Sequence, residues 1–364
     1  MALCLGHHFG FCMRKRSFVI SDIEMGKGDL MDDFSDDELL VRFIASLADA
    51  AFEGETWLFL NGDIFDFLKM DFQGEYTRYI TEEISLWKLE QILRVHPRVF
   101  EALAGFLRDP GHHLFFVIGN HDFDLAWPKI QARVRNFLGQ GASDMHGSGI
   151  SRVHFGHLFD EGDLHIQHGN LVDPFFAFDT AKPFISFRGQ QILNLPIGCQ
   201  ISFFYLVPFK KKFAKEEQLS PRGEAIRRFP EYRRAIAKMK WLSSWKVIWD
   251  RFLHADDPTY RINYRAFLSH FLEFGLDFIN DEKFLPSRIK KLAKMYKQPK
   301  VFVLGHSHCF SKFELDGRKF LVTDTWRDEY SFSSVGRQKK PKTFAEIQQE
   351  GSKISRADVK IYER

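Results

Sequence analysis

The sequence predicts an α/β fold interrupted by a mostly helical insertion. Three observations lead there. Short apolar runs alternate with stretches of helical period over the first 170 residues, the pattern turns helical, aromatic and basic from about 173 to 300, and strands resume after that. A length of 364 residues admits two domains, or one with a large insertion. With 45% hydrophobic and 27% charged residues, the composition excludes a disordered chain, a collagen and a membrane-embedded bundle.

Each element has its own signal. Ser17–Ser21 is a short apolar run and reads as a strand. Ser35–Phe52 has helical period with Ser35 as the expected N-cap. Thr56–Leu60 is a second strand, Thr81–Leu107 a long helix, and His113–Ile118 a third strand. Trp127–Leu138 reads as a helix with Pro128 in its first turn. Val153–Phe155 and Leu164–Gln167 are short strands. In the insertion, Gly223–Lys240, Trp241–His254, Asn263–Phe278 and Pro286–Tyr296 read as helices. Strands follow at Val301–Leu304, Cys309–Leu315 and Lys319–Thr323, and Thr343–Arg364 reads as a closing hairpin. The expected division is 1–172 core, 173–300 cap and 301–364 core.

The net charge of +3 hides an asymmetry. Residues 171–300 carry 24 Lys+Arg against 13 Asp+Glu, and the remainder carries 27 against 35. An acidic body is joined to a basic segment, which points to an anionic partner; a solvated helical surface is the plainer reading. Cys4, Cys12, Cys199 and Cys309 are too few and too scattered for a disulfide framework. Met1–Arg16 lacks the order of charges of a secretory signal, so a cytoplasmic location is expected. Gly189–Phe209, followed by Lys210, Lys211 and Lys212, reads as a buried helix pair and turn, with a membrane-interface segment as the other reading.

Metal-ligand residue types sit where the strands end. They are Asp22-Ile23-Glu24, Gly62-Asp63-Ile64-Phe65-Asp66, Gly119-Asn120-His121-Asp122, His168-Gly169 and Gly305-His306-Ser307-His308. In open α/β sheets ligands bind beyond the carboxyl ends of strands, so clusters spanning residues 22 to 308 can converge. Carboxylates, an amide oxygen and imidazoles together suit Mn²⁺, Fe or Zn²⁺, and the lack of cysteine excludes a thiolate zinc site. Two ions with a bridging carboxylate need about seven donors; Asp22, Glu24, Asp63, Asn120, His168, His306 and His308 supply them, with Asp63 the natural bridge.

This set of blocks resembles the calcineurin-like metallophosphoesterases, whose signature runs Asp-x-His, Gly-Asp-x-x-(Asp/Glu), Gly-Asn-His-(Asp/Glu), a His-Gly or Gly-His pair and Gly-His-x-His. Four of the five blocks match residue for residue, and the fifth departs at Glu24, where the family has His. The resemblance implies a four-layer αββα sandwich with two divalent ions, Mn²⁺ foremost. Asp63 would bridge them. Asp22 and His308 would hold one, with Glu24 able to ligate as a carboxylate. Asn120, His168 and His306 would hold the other. His121 would serve near the phosphate with Asp122 orienting it. Arg327, after the last strand, is a candidate contact to a substrate phosphate.

The insertion's place between the His-Gly and Gly-His-x-His blocks resembles the UDP-2,3-diacylglucosamine hydrolases. That implies a phosphodiester or pyrophosphate hydrolase acting through a hydroxide held between metals. Its partner would be an anionic, phosphate-containing substrate, lipid-linked or nucleotide, with peripheral membrane contact through the cap. Two other readings stand beside it: a nucleic-acid phosphoesterase, which lacks any recognised nucleic-acid module here, and a non-catalytic scaffold, whose only support is Glu24.

Overall fold

The computed structural model describes residues 14–49, 51–140, 150–203, 207–220, 222–261, 281–333 and 336–362. Two sheets organise it. The first runs β15-β14-β1-β2-β3-β4 and the second β10-β11-β9-β6-β5. In the first, β1 (Arg14–Ile20), β2 (Glu55–Asn61), β3 (His112–Val117) and β4 (Val153–Gly156) are parallel. The closing hairpin, β14 (Lys342–Glu350) and β15 (Lys353–Tyr362), lies antiparallel beside β1. In the second sheet β6 (Leu164–Ile166), β9 (Val301–Leu304) and β11 (Arg318–Val322) are parallel, flanked by antiparallel β5 (Phe159–Glu161) and β10 (Ser311–Leu315).

Strand alternation sets the layers. Val19, Phe59 and Val117 of the first sheet meet Ile166, Val303 and Leu321 of the second in one buried cluster. The opposite faces, Ile20, Leu58 and Phe116, pack on helices α1 (Asp37–Ser46), α2 (Glu82–Val95), α3 (Pro97–Phe106) and α4 (Pro128–Gln140). Phe302 and Phe320 face outward from the second sheet onto α9 (Asp281–Met295) through Leu285, Ile289 and Leu292. The order is helix, sheet, sheet, helix. Because α9 forms an outer layer, part of the 173–300 segment belongs to the core.

Several expectations shift. The N-cap of α1 is Asp36, whose carboxylate accepts from Leu39 N at 3.3 Å; the Ser35 hydroxyl donates to Asp328 instead. The helix expected over Thr81–Leu107 breaks at His96, because Pro97 cannot donate and restricts the residue before it. Thr81 caps the first half through Ile84 N. The Ser85 hydroxyl of α2 donates to Asp124. In the insertion, α5 (Ile197–Ile201), α6 (Val207–Glu217), α7 (Arg222–Arg228) and α8 (Pro230–Leu253) follow a short hairpin, β7 (Phe184–Phe187) and β8 (Gln190–Leu193). The break falls at Phe229-Pro230, and α8 runs straight through the expected boundary at Lys240. Within 189–209, Leu193, Cys199 and Phe203 are core residues, in line with the buried reading, though 190–193 is strand. The helix expected over Asn263–Phe278 lies outside the described residues. Among those described, no helix is long and apolar enough to cross a membrane.

His96 does more than end a helix. Its Nδ1 lies 2.7 Å from Asp37 and its Nε2 3.3 Å from Asp32, tying the α2–α3 corner to the start of α1. Burial opposes its protonation, but the two carboxylates outweigh that and push it up to about 9. The folded pKa exceeds the unfolded one, so this stabilisation is complete below about pH 6.5 and is lost as pH rises through about 9. Urea unfolding of the protein against His96→Gln should show a gap of about 1–3 kcal/mol at pH 6 that closes above pH 9. A gap independent of pH would contradict the assignment.

Candidate metal centre

All five blocks emerge at the carboxyl ends of parallel strands, β1, β2 and β3 from one sheet and β6 and β9 from the other. The backbone there is unusual. Among the described residues eight non-glycine residues have positive φ, and five of them are Asp22, Glu24, Asp63, His306 and His308, at 50–68°. Left-handed conformations cost side-chain-bearing residues energy and persist where the surroundings over-determine them. Two glycines allow the blocks to touch. A Cβ on Gly119 would run into the Asp63 carboxylate, and one on Gly62 into the His168 ring.

Each of the three strand-end histidines has one ring nitrogen held by a carbonyl or carboxylate. His168 has Nδ1 on the Asn61 carbonyl at 2.9 Å, leaving Nε2 3.0 Å from Asp63 Oδ2 and 3.9 Å from Asp22 Oδ1. His306 has Nε2 on Asp173 at 3.2 Å, and His308 has Nδ1 on Glu329 at 3.1 Å. The His308 Nε2 lies 3.2 Å from Asp22 Oδ1 and 3.4 Å from Glu24 Oε1. In His168 and His308 one ring nitrogen is held by a carbonyl or carboxylate and the other turns toward further carboxylates, the pattern that orients metal-binding imidazoles. Two donors each about 2.1 Å from one ion stand roughly 3.0–3.5 Å apart, which matches the 3.0–3.4 Å separations here.

The donor set passes a further test of fit. Asp63, His168 and His306 bring ligand atoms within 4.8 Å of one another. Among the described residues the buried Asn120 Oδ1 has no hydrogen-bond partner, although burying such an atom unpaired is costly. Burial disfavours a charged His168, yet Asp63 and Asp22 outweigh it and push it up to about 10. Carboxylates that hold a proton on a buried ring also attract a cation. These residues fit a divalent ion.

Glu24 faces His308 and is also held by cations. Both its oxygens accept from Arg327 Nη1, at 3.3 and 3.2 Å, and Lys69 Nζ bonds Oε2. Burial would raise its pKa, but Arg327 and Lys69 hold it well below the usual carboxylate range. The network extends to Asp33, bonded by Lys69 and Lys210, and to Glu329, bonded by Arg327 at 2.8 Å. Arg327 is thus buried and committed to carboxylates rather than presented to a substrate phosphate. Glu24 also shares a second cluster of ligand-type atoms with Asp66 and His121.

His121 is oriented by Asp66, not by Asp122. Its Nδ1 lies 2.8 Å from Asp66 Oδ1, and its backbone N–H donates to Asp63 Oδ1 at 2.8 Å. Asp122 instead accepts from the backbone N–H groups of Ile64 (2.8 Å) and Gly119 (2.5 Å), which locks the second and third blocks together. Burial opposes protonation of His121, while Asp63, Asp66 and Glu24 raise its pKa. Sequence reasoning missed Asp173, Glu329 and Lys69. Asp66 alone carried a signal, its place in the Gly-Asp-x-x-Asp block; the others carry none, lying apart from the blocks they serve.

No family model matches the chain, and no curated protein matches it. Solved structures do align with it. Vacuolar protein sorting 29 of Cryptosporidium parvum is 11% identical over 97% of this chain and 100% of its own, with a TM-score of 0.31. A dimetal phosphatase of Danio rerio is 10% identical over 96% and 99%, at 0.34. The phosphopantetheinyl hydrolase of Mycobacterium tuberculosis is 14% identical over 86% and 91%, at 0.26. Scores this low assign neither family nor activity, so the chemistry is drawn from the chain's own residues.

Proposed function

We propose that the protein is a metal-dependent phosphoesterase that hydrolyses a phosphodiester or pyrophosphate bond. The observation that carries this is the convergence of Asp22, Asp63, Asn120, His168, His306 and His308 beside an Asp66-held His121. Asp63, Asn120, His168 and His306 would hold one divalent ion. Asp22 and His308 would hold a second with Asp63, and Glu24, whose charge is already shared with Arg327 and Lys69, would offer that ion less. The second ion therefore binds more weakly than the first. When bound, such ions supply positive charge for a phosphoryl group and lower the pKa of water. His121, its ring fixed through Nδ1, keeps Nε2 for a proton on the leaving oxygen or a hydrogen bond to the phosphoryl oxygens.

A substrate with an anionic head and apolar tails, as in the UDP-diacylglucosamine hydrolase reading, suits the neighbouring helices. These are basic and aromatic, and α6 is tied to the network around Glu24 through Lys210 and Asp33. The test is hydrolysis of bis(p-nitrophenyl) phosphate, p-nitrophenyl phosphate and a nucleotide-linked lipid pyrophosphate by metal-stripped protein with Mn²⁺ restored. Diester or pyrophosphate turnover that depends on Mn²⁺ is expected. Full ion binding with no turnover on any of the three would favour the scaffold reading.

A further inference from the structure

We propose that one face of α8 docks on an anionic lipid surface, with Trp241, Trp245 and Trp249 seated at headgroup level. The helix has 24 residues, about 36 Å of length. Its inner side is fixed: Tyr232 and Ile236 pack with Phe213, Leu219 and Ala225. At about 100° per residue, Trp241, Trp245, Trp249 and Phe252 fall on the opposite side. They are 63%, 51%, 58% and 68% exposed, and Leu242 and Leu253 widen the stripe. These six are more than half of the large hydrophobic side chains exposed among the described residues, gathered within four helical turns. Scattered apolar exposure needs no account, but a contiguous stripe does.

The chemistry of the stripe selects the partner. Tryptophan and phenylalanine with cations alongside is the composition of helices that lie in a membrane interface, apolar side down. Arg234 and Lys238 continue the same line toward the helix N-terminus, and both are exposed. From Arg222 to Leu253 there are nine Lys/Arg against three Asp/Glu, which complements anionic headgroups. A nucleic-acid groove would interleave cations with the rings, whereas Lys246, the cation among the tryptophans, is paired with Asp250 at 2.8 Å. The helix lies on the surface rather than crossing it, since it is too polar to span. Its N-terminal end is joined to the site: Arg228 of α7 and Phe229 pack on Phe332 of β12 (Tyr330–Ser333), which follows Glu329 directly. A docked α8 therefore holds the metal centre close to the lipid surface.

The experiment uses the full chain and vesicles of phosphatidylcholine with or without phosphatidylglycerol. Sedimentation should show binding to the anionic vesicles that weakens with salt, and bromine-labelled lipid should quench tryptophan emission. The triple variant Trp241→Ser, Trp245→Ser, Trp249→Ser should bind at least about tenfold more weakly. Arg234→Glu with Lys238→Glu should lose the preference for anionic vesicles. Failure of the protein to bind anionic vesicles at low salt would overturn the proposal. So would a triple variant that binds equally well, a dimer that dissociates in the triple variant, or a single-stranded oligonucleotide that competes the vesicles away. Should the triple variant misfold, quenching in the unaltered protein decides alone: its absence overturns the proposal.

Discussion

Asp63→Ala should lose divalent ions altogether, and with them all turnover. Asp63 is the residue on which the blocks close. One oxygen accepts from the His121 backbone, the other lies 3.0 Å from His168, and the Gly119 backbone is pressed against it. Removing groups that merely orient metal ligands costs about 10–100-fold in affinity. Removing a ligand shared by two ion positions should cost more than about 100-fold. The readout is ion content after desalting, by elemental analysis, in the protein, Asp63→Ala and the isosteric Asp63→Asn. Equal ion content in all three would remove Asp63 from the site. Retention in Asp63→Asn alone would mean that an amide oxygen suffices there and that carboxylate charge is not what holds the ions.

His121→Ala should leave ion content intact and lower kcat by about 10²–10⁴-fold, the range for a positioned acid or base. The distinction from Asp63 follows from placement. The His121 ring is turned to Asp66, so its loss takes away a proton donor or hydrogen bond without opening the metal ligands. Asp66→Asn is the companion. Asp66 acts through His121 as a positioning residue, so its loss should lower kcat with little change in KM, and should add little to a His121→Ala background. Additive losses in the double variant would show that Asp66 acts independently, and unchanged turnover in His121→Ala would take the imidazole out of the mechanism.

The sequence made most of the donors legible because each follows an apolar run that can only be a buried strand, and parallel strands bring their ends to one edge. Local punctuation was legible in part. Pro97 stood in plain view inside the expected long helix, and chain-breaking chemistry prevailed over helical period there. The α8 boundary failed for the converse reason: a change of composition at Lys240 is not a break, while Phe229-Pro230 is. The short strands β5, β7 and β8 were not read, being three or four residues long with no ligand block at their ends to mark them, as His168 marks β6. The partners of the imidazoles were not legible at all. Asp173 reaches His306 across 133 residues, and Arg327 reaches Glu24 across 303. Nothing local distinguishes Asp122 from Asp66 as the partner of His121; the turn geometry that sends Asp122 to the Ile64 and Gly119 N–H groups decides it. The surroundings of Glu24 were not legible either, since its charge comes with Arg327 and Lys69 already paired to it.

The most direct measurement is anomalous diffraction from crystals soaked in Mn²⁺. A peak at ligand distance from the Asp63 carboxylate, His168 Nε2, His306 and Asn120 Oδ1 is the predicted result, with a weaker peak beside Asp22 and His308. Absence of any peak among these residues in protein saturated with Mn²⁺, or an ion bound only elsewhere, would contradict the account.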